Sequence, residues 1–260
     1  MITRNLAITF ALLLLVSSAN AARNSAQRVR AFAALPDWTG LWESDINTLF
    51  HSASGHLEGA RDGEEVGHSQ LVGHPPLNAQ WERKYQAAVN DRATIAAAMA
   101  GGKHCNTTFP LTMDWAGIFQ VAVTPEETLF VFEHGEVRHI YTDGRPHPGK
   151  EDLWPTSMGD SIGHWQGETL VIDTVARTPG PIGVGPNDLS ERAHFTERVR
   201  RIDPNTLEDL LTIDDPARFT HPWQLTIRYT RVTDLNRMLP FDCEHDRNPV
   251  VDGKLTIEPP

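Results

Sequence analysis

Apolar side chains occupy every second position from Trp223 to Tyr229, and polar side chains occupy the positions between them. Successive side chains of a β-strand point to opposite faces of the sheet, so this period of two predicts a strand over 223–232. One face of that strand is expected to be buried and the other to be solvated.

Three pairs of apolar and β-branched runs predict hairpins. In each pair the two runs are separated by a short segment of turn-forming residues. The pairs are 129–132 and 137–142 around His134-Gly135, 161–165 and 169–174 around Gln166-Gly167, and 194–202 and 207–213 around Asp203-Pro204-Asn205-Thr206. Consecutive hairpins build an antiparallel meander, which closes into a barrel or curls into a half-barrel.

One segment has the spacing of a helix instead. Trp81, Tyr85 and Val89 recur at helical intervals. Asn78 precedes them as a suitable cap, and a Gly-Gly dipeptide follows the apolar pattern. These features together predict one packed helix over 78–100.

The first third of the chain predicts little regular structure. Residues 44–76 are rich in Gly, Ser and His and predict a long loop. A short opening strand is expected over 36–43, and a flexible arm is expected over 22–35. No linker or repeat divides residues 36–260, so we predict a single, mainly β domain.

The first 21 residues predict a signal peptide. Arg4 precedes an apolar run from Leu6 to Val16, and Ala19-Asn20-Ala21 fits a cleavage site with small residues. The apolar run is too short for a stable membrane span, and no later segment is long and apolar enough to be one. We therefore expect a periplasmic or secreted protein that is not inserted into a membrane after cleavage.

The protein is acidic, and the predicted signal peptide directs it to an oxidising compartment. The net charge is −11, from 23 Lys and Arg against 34 Asp and Glu, which argues against nucleic acid as a partner. Cys105 and Cys243 are the two cysteines, and in such a compartment an even count predicts a disulfide. The alternative is two separate buried thiols.

Several cofactor motifs are absent from the sequence. It contains no Walker loop, no G-x-G-x-x-G after a strand, no C-x-x-C and no H-E-x-x-H. We therefore predict that the protein uses no cofactor. The residues left for chemistry are His, Asp, Glu, Arg and Tyr, which suit the transfer of protons.

The hairpin turns also predict which side chains are neighbours. The expected register around Gln166-Gly167 sets Asp160 opposite Asp173. Two facing carboxylates repel unless they share a proton, a cation or a metal, whereas Asp160 outside the strand would cap a turn. In the last hairpin His194 is expected opposite Asp215, either as an oriented imidazole or as an exposed strand end.

Candidate functional residues follow from these placements. Pro146 and Pro148 flank His147 and restrict its backbone, which suits either a general acid or base or a structural turn. We predict proton transfer by His147, His194 and Asp173. We predict contact with substrate by Tyr141, Arg145, His164, His221 and Trp223. A metal site would instead draw on His139, His147, His194 and His221.

Two central segments carry a resemblance to a known family. Residues 143–148 read DGRPHP, and residues 159–174 read GDSIGHWQGETLVIDT. With the opening 36–42 segment, they resemble a large family of exported bacterial proteins, most of which are known as hypothetical proteins. The match covers most of residues 36–248, with Leu189 where a His is expected. The Trp-x-Gly turns in a meander are also similar to lipocalin-like barrels, by analogy of fold.

These observations lead to three hypotheses about function. A small barrel encloses an apolar cavity with a few polar groups, which suits a hydrophobic or aromatic small molecule. The first hypothesis is a cofactor-independent lyase, isomerase or hydrolase whose imidazoles and carboxylates face that cavity. The second is a non-catalytic ligand carrier or sensor. The third is a metal-dependent protein with His ligands.

Overall fold

Nine strands form a closed β-barrel in the computed structural model, which describes residues 27–44, 75–89, 108–115, 117–181, 188–238, 250–251 and 254–255. In chain order the strands are β1 (Leu41–Ser44), β2 (Ile118–Val123), β3 (Glu127–Phe132), β4 (Val137–Tyr141), β5 (Asp160–Gln166), β6 (Thr169–Val175), β7 (Gly180–Pro181), β8 (Asp188–Leu189), β9 (His194–Asp203), β10 (Thr206–Asp214), β11 (Trp223–Val232), β12 (Val250–Val251) and β13 (Lys254–Leu255). The barrel order is β1-β11-β10-β9-β6-β5-β4-β3-β2, while β7 pairs with β8 and β12 with β13. This architecture confirms the predicted mainly β, lipocalin-like barrel and closes it fully.

Helices occupy three described segments: α1 (27–33), α2 (Ala79–Val89) and α3 (Leu111–Trp115). Asn78 caps α2, because its Oδ1 accepts hydrogen bonds from the backbone N–H groups of Gln80 and Trp81. The rest of the predicted helix and nearly all of the predicted loop lie outside the described residues. Within the predicted flexible arm, α1 is helical. Of the helices in the described part of the chain, none has the length and apolar character needed to cross a membrane.

One pair of neighbouring strands departs from the predicted meander. Strands β4 and β5 run parallel, and their ladder joins only Ile140 to Ser161 and Tyr141 to Ile162. A tight turn cannot join parallel strands, so residues 142–159 return the chain from the end of β4 to the start of β5. The prolines of this connection lack backbone N–H donors and keep it out of the sheet.

The barrel closes between its first and last strands. Leu41 of β1 pairs with Val232 of β11 on one side and with Gln120 of β2 on the other. A side chain supports the closure: Nη1 of Arg231 donates to the carbonyl oxygen of Thr39 at 2.6 Å, across 192 residues of sequence. Closure therefore depends on contacts between the first and the last strands of the barrel, which are far apart in sequence.

Apolar side chains fill most of the barrel interior. The alternation in β11 is confirmed, with buried residues from Trp223 to Tyr229 and exposed residues between them. The ring centroid of Phe119 lies 5.0 Å from that of Tyr229 and 5.7 Å from that of Phe132. Such edge-on and tilted ring pairs add to the stabilisation that comes from burying apolar area.

A buried ion pair crosses the interior. Nη1 and Nη2 of Arg138 on β4 donate to Oε1 and Oε2 of Glu197 on β9, at 2.8 and 2.5 Å. Nη2 also donates to Oγ1 of Thr174, and the guanidinium lies 3.9 Å from the centre of the Phe109 ring. Both charged side chains are fully buried. Bidentate pairing offsets much of the cost of removing these charges from water.

Asp209 adds a third ionisable side chain to the interior. It is fully buried on β10 beside Glu197. Burial and the negative charge of Glu197 raise the pKa of Asp209 well above its ordinary value, although the charge of Arg138 acts in the opposite direction. This environment favours the protonated form of Asp209 over a second negative charge beside Glu197.

We predict that Asp209→Asn raises the free energy of unfolding and that this gain grows with pH. The proton on folded Asp209 contributes stability that is fully present below the pKa of the unfolded chain and is lost as pH rises through the folded pKa. Asn keeps the shape and an N–H donor but has no such pH dependence. Urea unfolding between about pH 5 and about pH 9 should show a gain that reaches roughly 1–3 kcal/mol.

Glu208→Gln is the matched control. Glu208 neighbours Asp209 but faces outward, where it pairs with Arg200 and Arg228. The hydrogen bond from Arg200 lowers the pKa of Glu208, so removal of this carboxylate should cost stability at neutral pH. A gain from Asp209→Asn that stays constant across the pH range would contradict a protonated Asp209.

Candidate functional site

The turn between β5 and β6 is shorter than the predicted register implies, because Gln166 pairs with Thr169, and this changes which residues face each other. Asp173 pairs with Ile162, and Asp160 pairs with Val175, two positions from the predicted register. An even shift keeps each side chain on its face, so Asp160 and Asp173 are diagonal neighbours on one face. Asp160 is the first residue of β5, so its alternative placement outside the strand is wrong.

The β9–β10 register differs from the prediction by one residue. An irregularity between the first two residues of β10 shifts the pairing, as a β-bulge does. His194 therefore pairs with Asp214, and its predicted pairing with Asp215 is wrong. Asp215 is buried and accepts hydrogen bonds at 2.7 Å from both the backbone N–H and the hydroxyl of Ser190.

The connection between β4 and β5 places His147 next to the two carboxylates. Nδ1 of His147 lies 2.5 Å from Oδ1 of Asp160, and Nε2 lies 2.8 Å from Oδ1 of Asp173. An ionised carboxylate only accepts hydrogen bonds, whereas an imidazolium donates from both ring nitrogens, so a protonated His147 satisfies both contacts. In that form the two carboxylates share one cation.

His194 extends this hydrogen-bonded series. Its Nε2 lies 2.7 Å from Oδ2 of Asp173. Asp160, His147, Asp173 and His194 are hereafter termed the His–Asp chain. The side chains of His147 and Asp160 are 20% and 23% exposed, and that of His194 is 43% exposed. The structure thus brings together the three residues predicted for proton transfer, adds Asp160, and connects them to solvent.

Electrostatics favour a proton on His147. Burial lowers the pKa of His147, but the hydrogen bonds that its ring donates to Asp160 and Asp173, together with the negative charges of these carboxylates, outweigh burial and raise the pKa above its ordinary value. Each carboxylate in turn is neutralised in part by the imidazolium. A positive charge on the central ring therefore stabilises the His–Asp chain.

A surface cavity of about 300 Å³ opens beside β4, where its short ladder with β5 ends. It is hereafter termed the β4 cavity. Its wall includes Glu136, His139, Tyr141, Ser157, Asp160 and Ser161. Of the His–Asp chain, only Asp160 belongs to this wall. The cavity and the proton-holding side chains therefore meet at one carboxylate.

Two aromatic rings form one side of the β4 cavity. The rings of His139 and Tyr141 stack with their centroids 6.1 Å apart, and the guanidinium of Arg145 lies 4.2 Å from the centre of the Tyr141 ring. Arg145 also binds both carboxylate oxygens of Asp143 through Nε and Nη2. Both Tyr141 and Arg145 were predicted to contact substrate. Tyr141 lines the cavity, whereas Arg145 does not line it and packs on the Tyr141 ring.

Three other predicted substrate contacts lie elsewhere. His164 and His221 are exposed, and their ring nitrogens contact Gln166 at 2.9 Å and Thr220 at 3.1 Å. Trp223 is buried in the core. The structure does not bring these three residues to the β4 cavity.

The candidate groups lie on the outside of the barrel. On β6, Ile172 and Thr174 are buried, whereas Asp173 between them points to the opposite face. On β9, His194 alternates in the same way with buried Phe195. The expectation that these imidazoles and carboxylates face an enclosed cavity is therefore wrong, because apolar side chains and a buried ion pair take the inward positions.

Ser161 stands at the centre of a G-x-S-x-G sequence, 159–163, but lacks the surroundings of a nucleophile. In hydrolases this motif lies on a sharp turn between a strand and a helix, whereas Ser161 lies within β5 and is buried. Its Oγ lies 2.8 Å from Oγ1 of Thr174 and 3.4 Å from Nη2 of Arg138. No imidazole in the described part of the chain hydrogen-bonds to it, so Ser161 supports the interior.

Metal ligation finds little support in this geometry. Within the described ranges, no group of three or more His, Cys, Asp or Glu side chains is arranged to hold a metal ion. Both ring nitrogens of His147 are directed at carboxylates, and a nitrogen that donates a hydrogen bond has no lone pair for a metal.

Comparison with known proteins assigns no function to this site. No family model matches the chain, and no curated protein or solved structure does so either. The resemblance to exported bacterial proteins stays a prediction. So does the disulfide, because Cys105 and Cys243 lie outside the described residues. Leu189, where the resemblance implies a His, is buried.

We predict that His147→Gln lowers the free energy of unfolding by about 1–3 kcal/mol near pH 6 and by less at higher pH. Because its pKa is raised on folding, the proton on His147 contributes stability that is fully present below the unfolded pKa and lost as pH rises through the folded pKa. Urea unfolding across this range measures the change, and NMR titration of the ring reports the pKa directly.

His164→Gln is the matched control for this prediction. It removes an exposed imidazole from strand β5, on the face of that strand that also carries Asp160. It should change stability by less than about 0.5 kcal/mol at every pH. An NMR pKa for His147 below that of a free imidazole would contradict the shared cation.

Proposed function

We propose that this protein is an exported, cofactor-independent enzyme that binds a small molecule in the β4 cavity and catalyses a reaction by acid/base chemistry. The observation that carries the proposal is the double role of Asp160, which lines the cavity and hydrogen-bonds to His147. A carboxylate at a concave surface, held by a charged ring, suits the transfer of protons to and from a bound molecule. Export is supported by the predicted signal peptide.

The geometry divides the chemical roles among the His–Asp chain. Oδ1 of Asp160 faces His147, and Oδ2 makes no hydrogen bond to the described residues, so Oδ2 is the atom that accepts a proton from substrate. In a lyase or isomerase the same atom returns the proton to a different position. His147 orients Asp160 and stabilises negative charge beside it.

Asp173 and His194 act on the far side of the imidazole. Asp173 fixes the orientation of His147 through Nε2, as a carboxylate does for a catalytic imidazole. His194 contacts Asp173 and is the most exposed member of the series, so it can exchange protons with solvent. Asp160 is therefore proposed as the catalytic residue, and the other three are proposed as positioning residues.

Binding without turnover is the second candidate function. The β4 cavity is large enough for a small ligand, and a His147 imidazolium that joins two carboxylates also fastens the 142–159 connection to the barrel wall. A carrier or sensor needs only this cavity and this fastening. The two functions differ in what happens to the ligand after it binds.

We predict that Asp160→Asn lowers kcat about 10²–10⁴-fold on any substrate that the protein converts, because Asn cannot accept a proton. Substrates are sought by incubating the purified protein with mixtures of small molecules, with a chelator present, and following their masses. His147→Gln should change the pH profile of kcat/KM and lower kcat less than Asp160→Asn does.

His164→Gln is again the control and should leave kcat and the pH profile unchanged. Turnover that Asp160→Asn and His147→Gln both leave intact would remove the proposed chemistry from this site. Ligand that binds in the β4 cavity and is released unchanged would favour the carrier.

A further inference from the structure

The wall of the β4 cavity carries negative charge. Glu136 and Asp160 both belong to it, and no Lys or Arg side chain of the described residues does. Glu136 is held in place, because its Oε1 accepts a hydrogen bond from the Ser157 hydroxyl at 2.8 Å and its Oε2 lies 3.3 Å from Nε2 of His134. Two fixed carboxylates in one concave wall repel an anion and attract a cation.

The basic side chains near the cavity are already engaged with carboxylates. Arg145 binds Asp143 through both oxygens. Nδ1 of His139 lies 3.1 Å from Oε2 of Glu127. His147 hydrogen-bonds to carboxylates through both ring nitrogens. An anionic ligand would have to displace one of these contacts, whereas a cationic ligand would leave all of them intact.

The remaining wall also suits a cation with a small organic body. The rings of His139 and Tyr141 belong to the wall and offer apolar surface against which an organic body can pack, while the guanidinium of Arg145 already lies over the Tyr141 ring. Asp160 keeps Oδ2 as an acceptor for an N–H donor. A cavity of about 300 Å³ has room for about ten non-hydrogen atoms, by the volume that each occupies in a liquid.

We propose that the β4 cavity takes a small organic cation, in which an ammonium group faces Glu136 and Asp160 and an apolar or aromatic body lies against Tyr141. The inference rests on the proposed function only in taking this cavity as the place where the ligand binds. It narrows the predicted hydrophobic or aromatic small molecule to one that also carries a positive charge.

The test compares three probes of one size and three charges: benzylammonium, benzyl alcohol and benzoate. Each is titrated into the purified protein at neutral pH and low salt, and binding is followed by NMR shifts of the cavity side chains. Benzylammonium should bind at least about tenfold more tightly than benzyl alcohol, and benzoate should bind more weakly than either. The preference should diminish as salt is added.

Glu136→Gln should weaken benzylammonium binding about tenfold and leave benzyl alcohol unchanged, because Gln keeps the size and the acceptor for Ser157 but loses the charge. Glu168→Gln, in the exposed β5–β6 turn, is the matched control and should alter neither. Benzoate binding as tight as benzylammonium binding would overturn the inference. So would a Glu136→Gln variant without effect, or the absence of binding by all three probes.

The experiments can contradict the proposed preference for a cationic ligand without contradicting the proposed acid/base chemistry, and the reverse. His147 lies outside the cavity wall, so His147→Gln tests turnover without removing a wall charge. Selective binding of benzylammonium by a protein that converts no substrate would keep this inference and discard the enzyme. Turnover that depends on Asp160 with an anionic substrate would do the reverse.

Discussion

Two carboxylates on one face of a sheet need a positive charge between them, and this constraint organises the outer wall of the barrel. Asp160 and Asp173 are fixed as diagonal neighbours by the β5–β6 register. The positive charge comes from His147, which lies close in sequence to both carboxylates. His147 belongs to the 142–159 connection and not to a strand. The parallel pairing of β4 and β5 requires that connection to exist. The parallel pairing of β4 and β5 thus accounts for the connection that carries His147, and His147 in turn supplies the charge that the two carboxylates need.

The buried ionisable side chains of the barrel interior are stabilised in a different way. Arg138 and Glu197 pair through two hydrogen bonds, and burial beside Glu197 raises the pKa of Asp209. Because these side chains and the aromatic rings around them occupy the inward positions, the barrel serves as a rigid support. The cavity that we propose as the binding site lies on its outer surface, beside the 142–159 connection and the short β4–β5 ladder. The role of such a barrel differs from that of one that encloses its ligand.

Sequence patterns predicted the elements well because the signals that define them are local. The alternation in β11, the Asn78 cap and the turn glycines all act within a few residues. Register was predicted less well, since a bulge in β10 moved His194 from Asp215 to Asp214 and no local signal marks it. The parallel ladder and the inward or outward direction of each strand depend on closure of the whole barrel. Even so, the conflict between Asp160 and Asp173 was visible in the sequence, and it pointed to the site.

The closing contact between β1 and β11 has a consequence for biosynthesis. Strand β1 finds one of its two partners only when the last barrel strand has been made, so the fold contains contacts of very large sequence separation. Such contacts are slow to form. Until then β1 and β10 each present an open edge to which another chain can add. A polypeptide that ends before residue 223 would keep both edges open and would be exposed to aggregation throughout its lifetime.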